Sequence, residues 1–513
     1  MRHPRWKQQR CVLAVAGLAV AALAVPGLPG PGAAGAAGPA GPQLRLIAAQ
    51  RSITLDSHGG QLYLDPGMWV TVTGSPLQFD VRRASYTKPV TITQIIYPPS
   101  GGTVRRPLPA SVINGFNYGL TKFLKLTVRN SAGKVAAAET IPFCPDTYDP
   151  ERAGPGSPQT SPYPQQCPTD PFPLSMVWGV QKGWAADPAE SNFLGHQTKL
   201  PLGVYQVTGT ITPEYTRLFR IPARDATTTV KLTVVKGPNC CPIPGCCIPG
   251  QPNGPRGQAA PRPPANVPTL RNPPPSALPD LVALPAWSIN VSHPRKQAHD
   301  FLDFGATVWV GGNGPLDVEG FRSHASPVMK AYQYFWSGGK VIGRVRAGTM
   351  GFDSKKGHNH WHFEQFAKYE LLTSAKSVAV RSHKVGFCIA PSDAVDLLLP
   401  HAVWQPFSLG LQGQCGSPTA LWVAEEMPVG WADTYIQSIA GQNFDITEVP
   451  NGTYYIEVSA NPQRVLHETT TSNDVSLRKI ILGGTPGHRT VRVPAWHGID
   501  PENGSGFGYL SAR

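Results

Sequence analysis

Three imidazoles stand at every second position in Gly357-His358-Asn359-His360-Trp361-His362. Alternate residues share a side only in an extended chain, whereas on a helix a two-residue step turns about 200° and scatters them. The spacing therefore asks for a metal held by a strand. On the motif alone, two other readings stand beside it: a His-rich surface segment that picks up metal adventitiously, or a strand face that merely carries histidines. Downstream, Lys384 lies in VAVRSHKVGFC, read as an apolar strand ending at Cys388. A lysine there would ordinarily turn to solvent, because a buried ammonium must find a partner or lose its proton. Tyr435 follows within WADTYIQSIAGQNFDIT. Asp433, two residues before it, is a candidate general base, with a turn aspartate bonded to backbone as the equal alternative. Glu364, two beyond the last histidine, either orients a ligand ring or continues the strand face.

Taken in order, LPDLV at Leu278 to Val282, HNHWHFEQFAKYELL, HKVGFC, DTY, FDIT and VSANPQRVLHETTTSNDVSL resemble the catalytic domain of lysyl oxidases over about residues 280–484. The resemblance implies that His358, His360 and His362 are copper ligands and that Lys384 and Tyr435 are precursors of a lysine tyrosylquinone cofactor. It also implies oxidation of primary amines, peptidyl lysine among them, to aldehydes by molecular oxygen, with release of ammonia and hydrogen peroxide. The residue types suit that chemistry: neutral imidazoles hold Cu(II) and leave positions open, and a carbonyl electrophile allows covalent catalysis. By the same resemblance a calcium ion takes oxygens from Asp280, the Leu281 carbonyl, Glu468, Thr470, Asn473 and Asp474. Thr470 stands where the family usually has aspartate, and Asp474, where it usually has asparagine, restores one charge. A solvated loop is the alternative there. Animal members carry more disulfides, including a cysteine where this chain has Gly357, so collagen and elastin are not assumed as substrates. The rival reading, from another class, is a non-catalytic extracellular copper-binding or envelope-binding β-sandwich protein. Such a protein would have no need of Lys384 and Tyr435.

The elements that must position these residues read as all-β. Residues 44–236 alternate short Val-, Thr-, Ile- and Tyr-rich runs (QLYL, WVTVTG, LQFDVRR, VTITQIIY, FLKLTVRN, VYQVTGTITP, TTTVKLTVV) with turn residues. This pattern argues for an immunoglobulin-like β-sandwich. Its His58 and His196 are isolated and read as loop histidines. Residues 237–279, with PIPG, PRPP and NPPP, read as an extended Pro/Cys-rich linker that keeps two units apart, so that the first is dispensable for chemistry on small amines. From about residue 280 to 484 the β pattern resumes with ATVWV, VMKAYQYFW, KVIGRVRAG, GTYYIEVSA and SLRKIIL, read as a lysyl-oxidase-like sandwich with long loops. Asn451-Gly452 between FDITEV and TYYIEV signals a hairpin. Residues 485–513 read as a tail.

The chain has 513 residues and opens with a basic segment, an apolar run from Cys11 to Val25 and a Pro/Gly/Ala tract. The apolar run is shorter than the roughly 20 residues a spanning helix needs, so residues 1–36 read as a secretion signal with no transmembrane segment remaining afterwards. Eight cysteines remain after Cys11, an even number suited to an oxidising compartment. A Cys144–Cys167 bridge would close a polar, Pro-rich loop and contribute roughly 3 kcal/mol, and Cys388 would pair with Cys415. Cys240, Cys241, Cys246 and Cys247 form either a two-disulfide knot or a soft-metal site. The formal net charge of +13 with only 15% charged residues, and no basic run interleaved with aromatics, argues against nucleic acid. Loose attraction to an anionic envelope polymer is the partner that charge suggests.

Overall fold

The computed structural model describes residues 41–57, 60–190, 197–237, 262–294, 299–323, 325–354, 360–384, 386–406, 415–439 and 441–503. The signal reading, His58, His196, His358 and the four cysteines from Cys240 to Cys247 lie outside them. What is described is almost wholly β, as the alternating sequence predicts. In Gly203–Ile211, for example, Tyr205, Val207, Gly209 and Ile211 are turned inward or packed, and the threonines between them face outward.

The amino-terminal half builds a five-stranded sheet from Ser52–Ser57, Thr227–Lys236, Gly203–Ile211, Leu120–Asn130 and Val135–Phe143, together with two four-stranded sheets and one two-stranded ladder. All pairs are antiparallel except Ser52–Ser57 with Thr227–Lys236, which run parallel. The β character is as expected, and the finer immunoglobulin-like pattern is not established by this arrangement. The Cys144–Cys167 disulfide is formed.

Three sheets carry the second half. The first orders Pro279–Ala283, Phe301–Gly312, Trp431–Tyr435 and Asp393–Ala394, with two further strands on Phe301–Gly312. The second runs His360–Phe363, Lys340–Asp353, Val328–Ser337, Leu316–Phe321 and Trp422–Met427. The third runs Val378–Arg381, Ala367–Thr373, Gly452–Ala460, Val475–Thr485 and His488–Arg492. That last strand belongs to the segment read as a tail. Cys388 and Cys415 are bridged.

Three expectations differ from what is found. The strand expected to run through Lys384 ends at Arg381; Ser382 then turns the chain, its hydroxyl accepting the Lys384 amide at 3.1 Å. Asn451-Gly452 does not close a hairpin between its flanking runs: Asn443–Asp445 pairs with Phe301–Asp303, while Gly452–Ala460 pairs with Val475–Thr485. Here tertiary pairing overrides a local turn signal. Nor does the Pro-rich segment keep two units apart. The described residues fall in one compact unit, and Phe172 of the first half shares a buried cluster with Leu284, Trp287, Trp309, Val395 and Ala432 of the second.

Candidate functional site

Two of the three histidines lie on one short strand at the edge of its sheet, His360 opposite Asp353 and His362 opposite Gly351. Their Nε2 atoms approach to 2.8 Å, with the rings 4.7 Å apart and steeply tilted. His362 is buried, and its Nδ1 lies 4.0 Å from an Asp353 carboxylate oxygen. At such a separation either one N–H donates to the other nitrogen or both nitrogens face one cation. The donor chemistry fits Cu(II), with an outer carboxylate to set a ring's orientation. Among the described residues no three His, Cys, Asp or Glu side chains gather as a metal group; the third imidazole expected, His358, lies outside them.

Lys384 and Tyr435 are 51 residues apart in sequence and meet in space. The Lys384 Nζ lies 4.2 Å from the centre of the Tyr435 ring and 5.0 Å from that of Phe387. Both Lys384 and Tyr435 are buried. His383, next to Lys384 in the chain, is exposed. The Phe387–Ile389 segment clamps the tyrosine. Phe387 meets its ring edge-on at 5.3 Å, the Cys388 amide donates to its hydroxyl at 2.9 Å, and that hydroxyl donates to the Cys388 carbonyl at 3.2 Å. Phe387 also bridges to Phe363 at the end of the histidine strand, and Trp361 donates its amide to the Cys415 carbonyl at 2.7 Å. The Cys388–Cys415 disulfide thereby ties the tyrosine clamp to the histidine strand. Gly386 runs so close to His362 that an added Cβ would lie 2.8 Å from the His362 Cβ.

Asp433 and Tyr435 share a face of the strand Trp431–Tyr435. Burial drives the Asp433 carboxyl well above its ordinary range, and the Lys384 charge pulls it partly back. Its Oδ2 is buried with no hydrogen-bond partner. The Tyr435 phenol is likewise pushed up, by burial first and then by Asp433. Glu364 is exposed and accepts from the Thr349 hydroxyl at 2.7 Å.

Sequence reading missed Glu425. It is fully buried; one oxygen accepts from the Ile389 amide at 3.0 Å and the other has no partner. Burial drives its carboxyl upward, and the charge of Asp433 adds to the effect. The signal was available: in Trp422–Met427 the inward positions are Val423, Glu425 and Met427, and an acid in the apolar phase of an alternating strand asks for a reason. Asp353 offered no such signal, since only strand pairing brings it to the histidines.

Several of the residues that the resemblance assigns to calcium are hydrogen-bonded to one another. Asp280 accepts from the Thr470 amide at 3.3 Å and the Asn473 side-chain amide at 2.9 Å, and Glu468 accepts from the Leu281 amide at 3.1 Å. Burial pushes Glu468 up to about 7 and Asp474 up to about 6, with repulsion among the carboxylates adding to both. The Asn473 Oδ1 and Asp474 Oδ1 atoms are buried without partners. Repelling carboxylates and spare oxygens are the donor types a hard cation takes, although Asp280, Glu468 and Asp474 do not gather as a metal group. The Thr470 hydroxyl is engaged with Ser472 at 3.0 Å.

Residues 326–488 match the family model described as Lysyl oxidase. Lysyl oxidase homolog 4 of Mus musculus is 29% identical over 138 residues, 27% of this chain and 16% of that protein. Protein-lysine 6-oxidase of Rattus norvegicus is 31% identical over 120 residues, 23% of this chain and 25% of that protein. For protein-lysine 6-oxidase of Sus scrofa the same identity covers 42% of the relative. The aligned part of the chain thus spans between 16% and 42% of the length of these relatives. On the family match and these relatives, residues 326–488 are a lysyl oxidase family domain.

Proposed function

We propose that the protein is a secreted, copper-dependent amine oxidase of lysyl-oxidase type, acting on primary amines and on peptidyl lysine, the residue from which its protein-lysine 6-oxidase relatives take their name. The observation that carries this reading is the buried Lys384 amine lying 4.2 Å from the Tyr435 ring. A lysine taken out of water, set against a tyrosine ring and close enough to act on the Asp433 carboxyl, is the arrangement that such a cofactor requires. With molecular oxygen, copper held by His360, His362 and His358 would supply the oxidation of Tyr435, and the resulting lysine tyrosylquinone a carbonyl for the substrate amine.

The chain's own residues do the rest. The Phe387–Ile389 clamp fixes the Tyr435 ring, and burial keeps water from competing with the Lys384 amine. For its nitrogen to bond to the ring, Lys384 must give up a proton, and Asp433 has a free oxygen and a raised affinity to take it. The same oxygen suits removal of a substrate α-proton, because burial raises its affinity for a proton. Asp280, Glu468, Asp474, the Asn473 side chain and the Leu281 carbonyl would hold calcium away from this pocket; Thr470 contributes at most its position in the loop.

No helix among the described residues is long and apolar enough to cross a membrane. Attraction to an anionic envelope polymer has only the net charge behind it and is not carried further. To test the reading, copper-loaded protein is treated with phenylhydrazine and its peptides are mapped. One adduct per copper-bearing chain is expected, with the Lys384 and Tyr435 peptides covalently joined. Recovery of both peptides separate and unmodified would leave the non-catalytic binding protein as the better reading. Replacing His360 or His362 with Ala should lower copper content, and His383→Ala should not.

A further inference from the structure

We propose that the amino-terminal half is a working part of the catalytic unit: its segment Thr169–Ser175 braces the back of the strand Trp431–Tyr435 and thereby fixes Tyr435 against Lys384. The inference rests on the cofactor reading above. In that strand Asp433 and Tyr435 face the pocket, so Thr434 between them faces the opposite way. The neighbouring strand pairs Ala306 with Tyr435, Thr307 with Thr434 and Val308 with Asp433. On the back face the Thr434 and Thr307 hydroxyls meet at 3.1 Å. The Thr307 hydroxyl donates to Asp170 of the amino-terminal half at 2.5 Å, and the other Asp170 oxygen accepts the Phe172 amide at 2.6 Å. One side chain from the first half therefore caps the cross-strand pair directly behind the site.

The next strand is held in the same way. Asp393, in the pair Asp393–Ala394 that bonds to Trp431 and Ala432, is fully buried. It accepts the Thr169 amide at 2.9 Å, the Thr169 hydroxyl at 2.6 Å and the Asp170 amide at 2.8 Å. Beyond it Leu174 donates to the Val395 carbonyl at 2.7 Å, and Leu397 donates to the Ser175 carbonyl at 3.1 Å. Arg83 fastens the segment from within its own half, donating to the Pro173 carbonyl at 2.8 Å and the Pro171 carbonyl at 3.0 Å. The Cys144–Cys167 bridge ends two residues before Thr169. Burial holds Asp170 and Asp393 at about 7 and about 6, so removing their donors leaves groups that cannot return to water without opening the joint. An active-site group tolerates displacement of only about 0.5 Å, and the brace acts on the residue adjoining the one that must react.

The test uses the full chain folded with copper, comparing wild type, Asp170→Ala and Val128→Ala. Val128 is buried in the amino-terminal half away from the brace, so its variant loses stability by a few degrees without touching the joint. Copper per chain, the fraction of Lys384–Tyr435 cross-link and amide exchange across residues 431–435 are read at a temperature where all three are folded. In Asp170→Ala the cross-linked fraction should fall at least twofold at unchanged copper, with exchange in 431–435 at least tenfold faster, while Val128→Ala keeps both near wild type. Equal cross-linking and protection in Asp170→Ala overturn the brace, as does an equal loss in Val128→Ala. If wild type itself forms no cross-link, the cofactor reading falls, and the brace is judged on exchange alone: unchanged protection in Asp170→Ala then overturns it.

Discussion

The two faces of one strand, Trp431–Tyr435, use buried carboxyl groups in opposite ways. Behind it, Asp393 and Asp170 are surrounded by donors: backbone amides and threonine hydroxyls reach their oxygens from both halves of the chain. In front, Asp433 and Glu425 are equally buried, yet each keeps an oxygen with no partner. A buried polar group left unsatisfied costs about 1–3 kcal/mol. A fold that satisfies its acids fully on one side and leaves them short on the other is therefore spending stability where the proposed chemistry calls for proton transfer. A satisfied carboxyl fixes position; an unsatisfied one is available to take and return a proton.

The largest effect expected from this contrast is at Asp433. Asp433→Asn keeps the shape but removes the base, and turnover of a simple alkylamine, measured as peroxide release per quinone, should fall about 10²–10⁴-fold with copper content unchanged. Asp393→Asn should lower turnover far less once it is expressed per quinone, because that carboxyl positions rather than reacts. If the two substitutions cost the same per quinone, front and back do not differ in kind.

How much of this was legible beforehand depended on whether the information was local. The β pattern, the strand-borne histidines and both described disulfides lie in short stretches whose alternation or pairing can be read directly. Lys384 and Tyr435 were legible only through the resemblance, since nothing local explains a lysine in apolar company. Glu425 was visible in principle as an acid in the inward phase of its strand. The brace was not, because Thr169, Asp170, Thr307 and Asp393 are ordinary polar residues until the fold brings them together. The linker reading failed for a related reason: Pro-rich composition describes the path between the halves and says nothing of the buried surfaces they share. Likewise Asn451-Gly452 has hairpin chemistry, but neighbouring sheets captured its flanks.

Glu425 gives the next effect. In Glu425→Ala the Ile389 amide loses its acceptor, and an unpaired buried amide should cost about 1–3 kcal/mol, seen as a lower unfolding midpoint in denaturant. Glu425→Gln retains an acceptor and should recover most of that loss while leaving only the acid behaviour changed. An unchanged midpoint in Glu425→Ala would mean that the clamp on Tyr435 does not depend on this side chain.

The smallest effect separates the faces by pH. Asp170 is pushed up to about 7 by burial first and then by the charge of Asp393, with the Thr307 and Phe172 bonds and Arg83 acting against it; Tyr86 packs on the same side. When unfolded it would titrate near 3.8. Between these values the folded chain holds a proton the unfolded chain has released, so this group's stabilisation is complete below about pH 4 and is lost as pH rises through about 7. The slope from one such group is at most about 1.4 kcal/mol per pH unit. Asp170→Asn removes the titrating group while keeping an oxygen for Thr307, so its stability deficit relative to wild type should shrink from pH 4.5 to about pH 7 and then level off. Other buried acids titrate in both proteins, and the difference between the two curves cancels them. A deficit that stays constant, or grows with pH, would show that Asp170 is ionised in the fold, and the back face would then be a charged joint held by Arg83 and its hydroxyl donors rather than a neutral one.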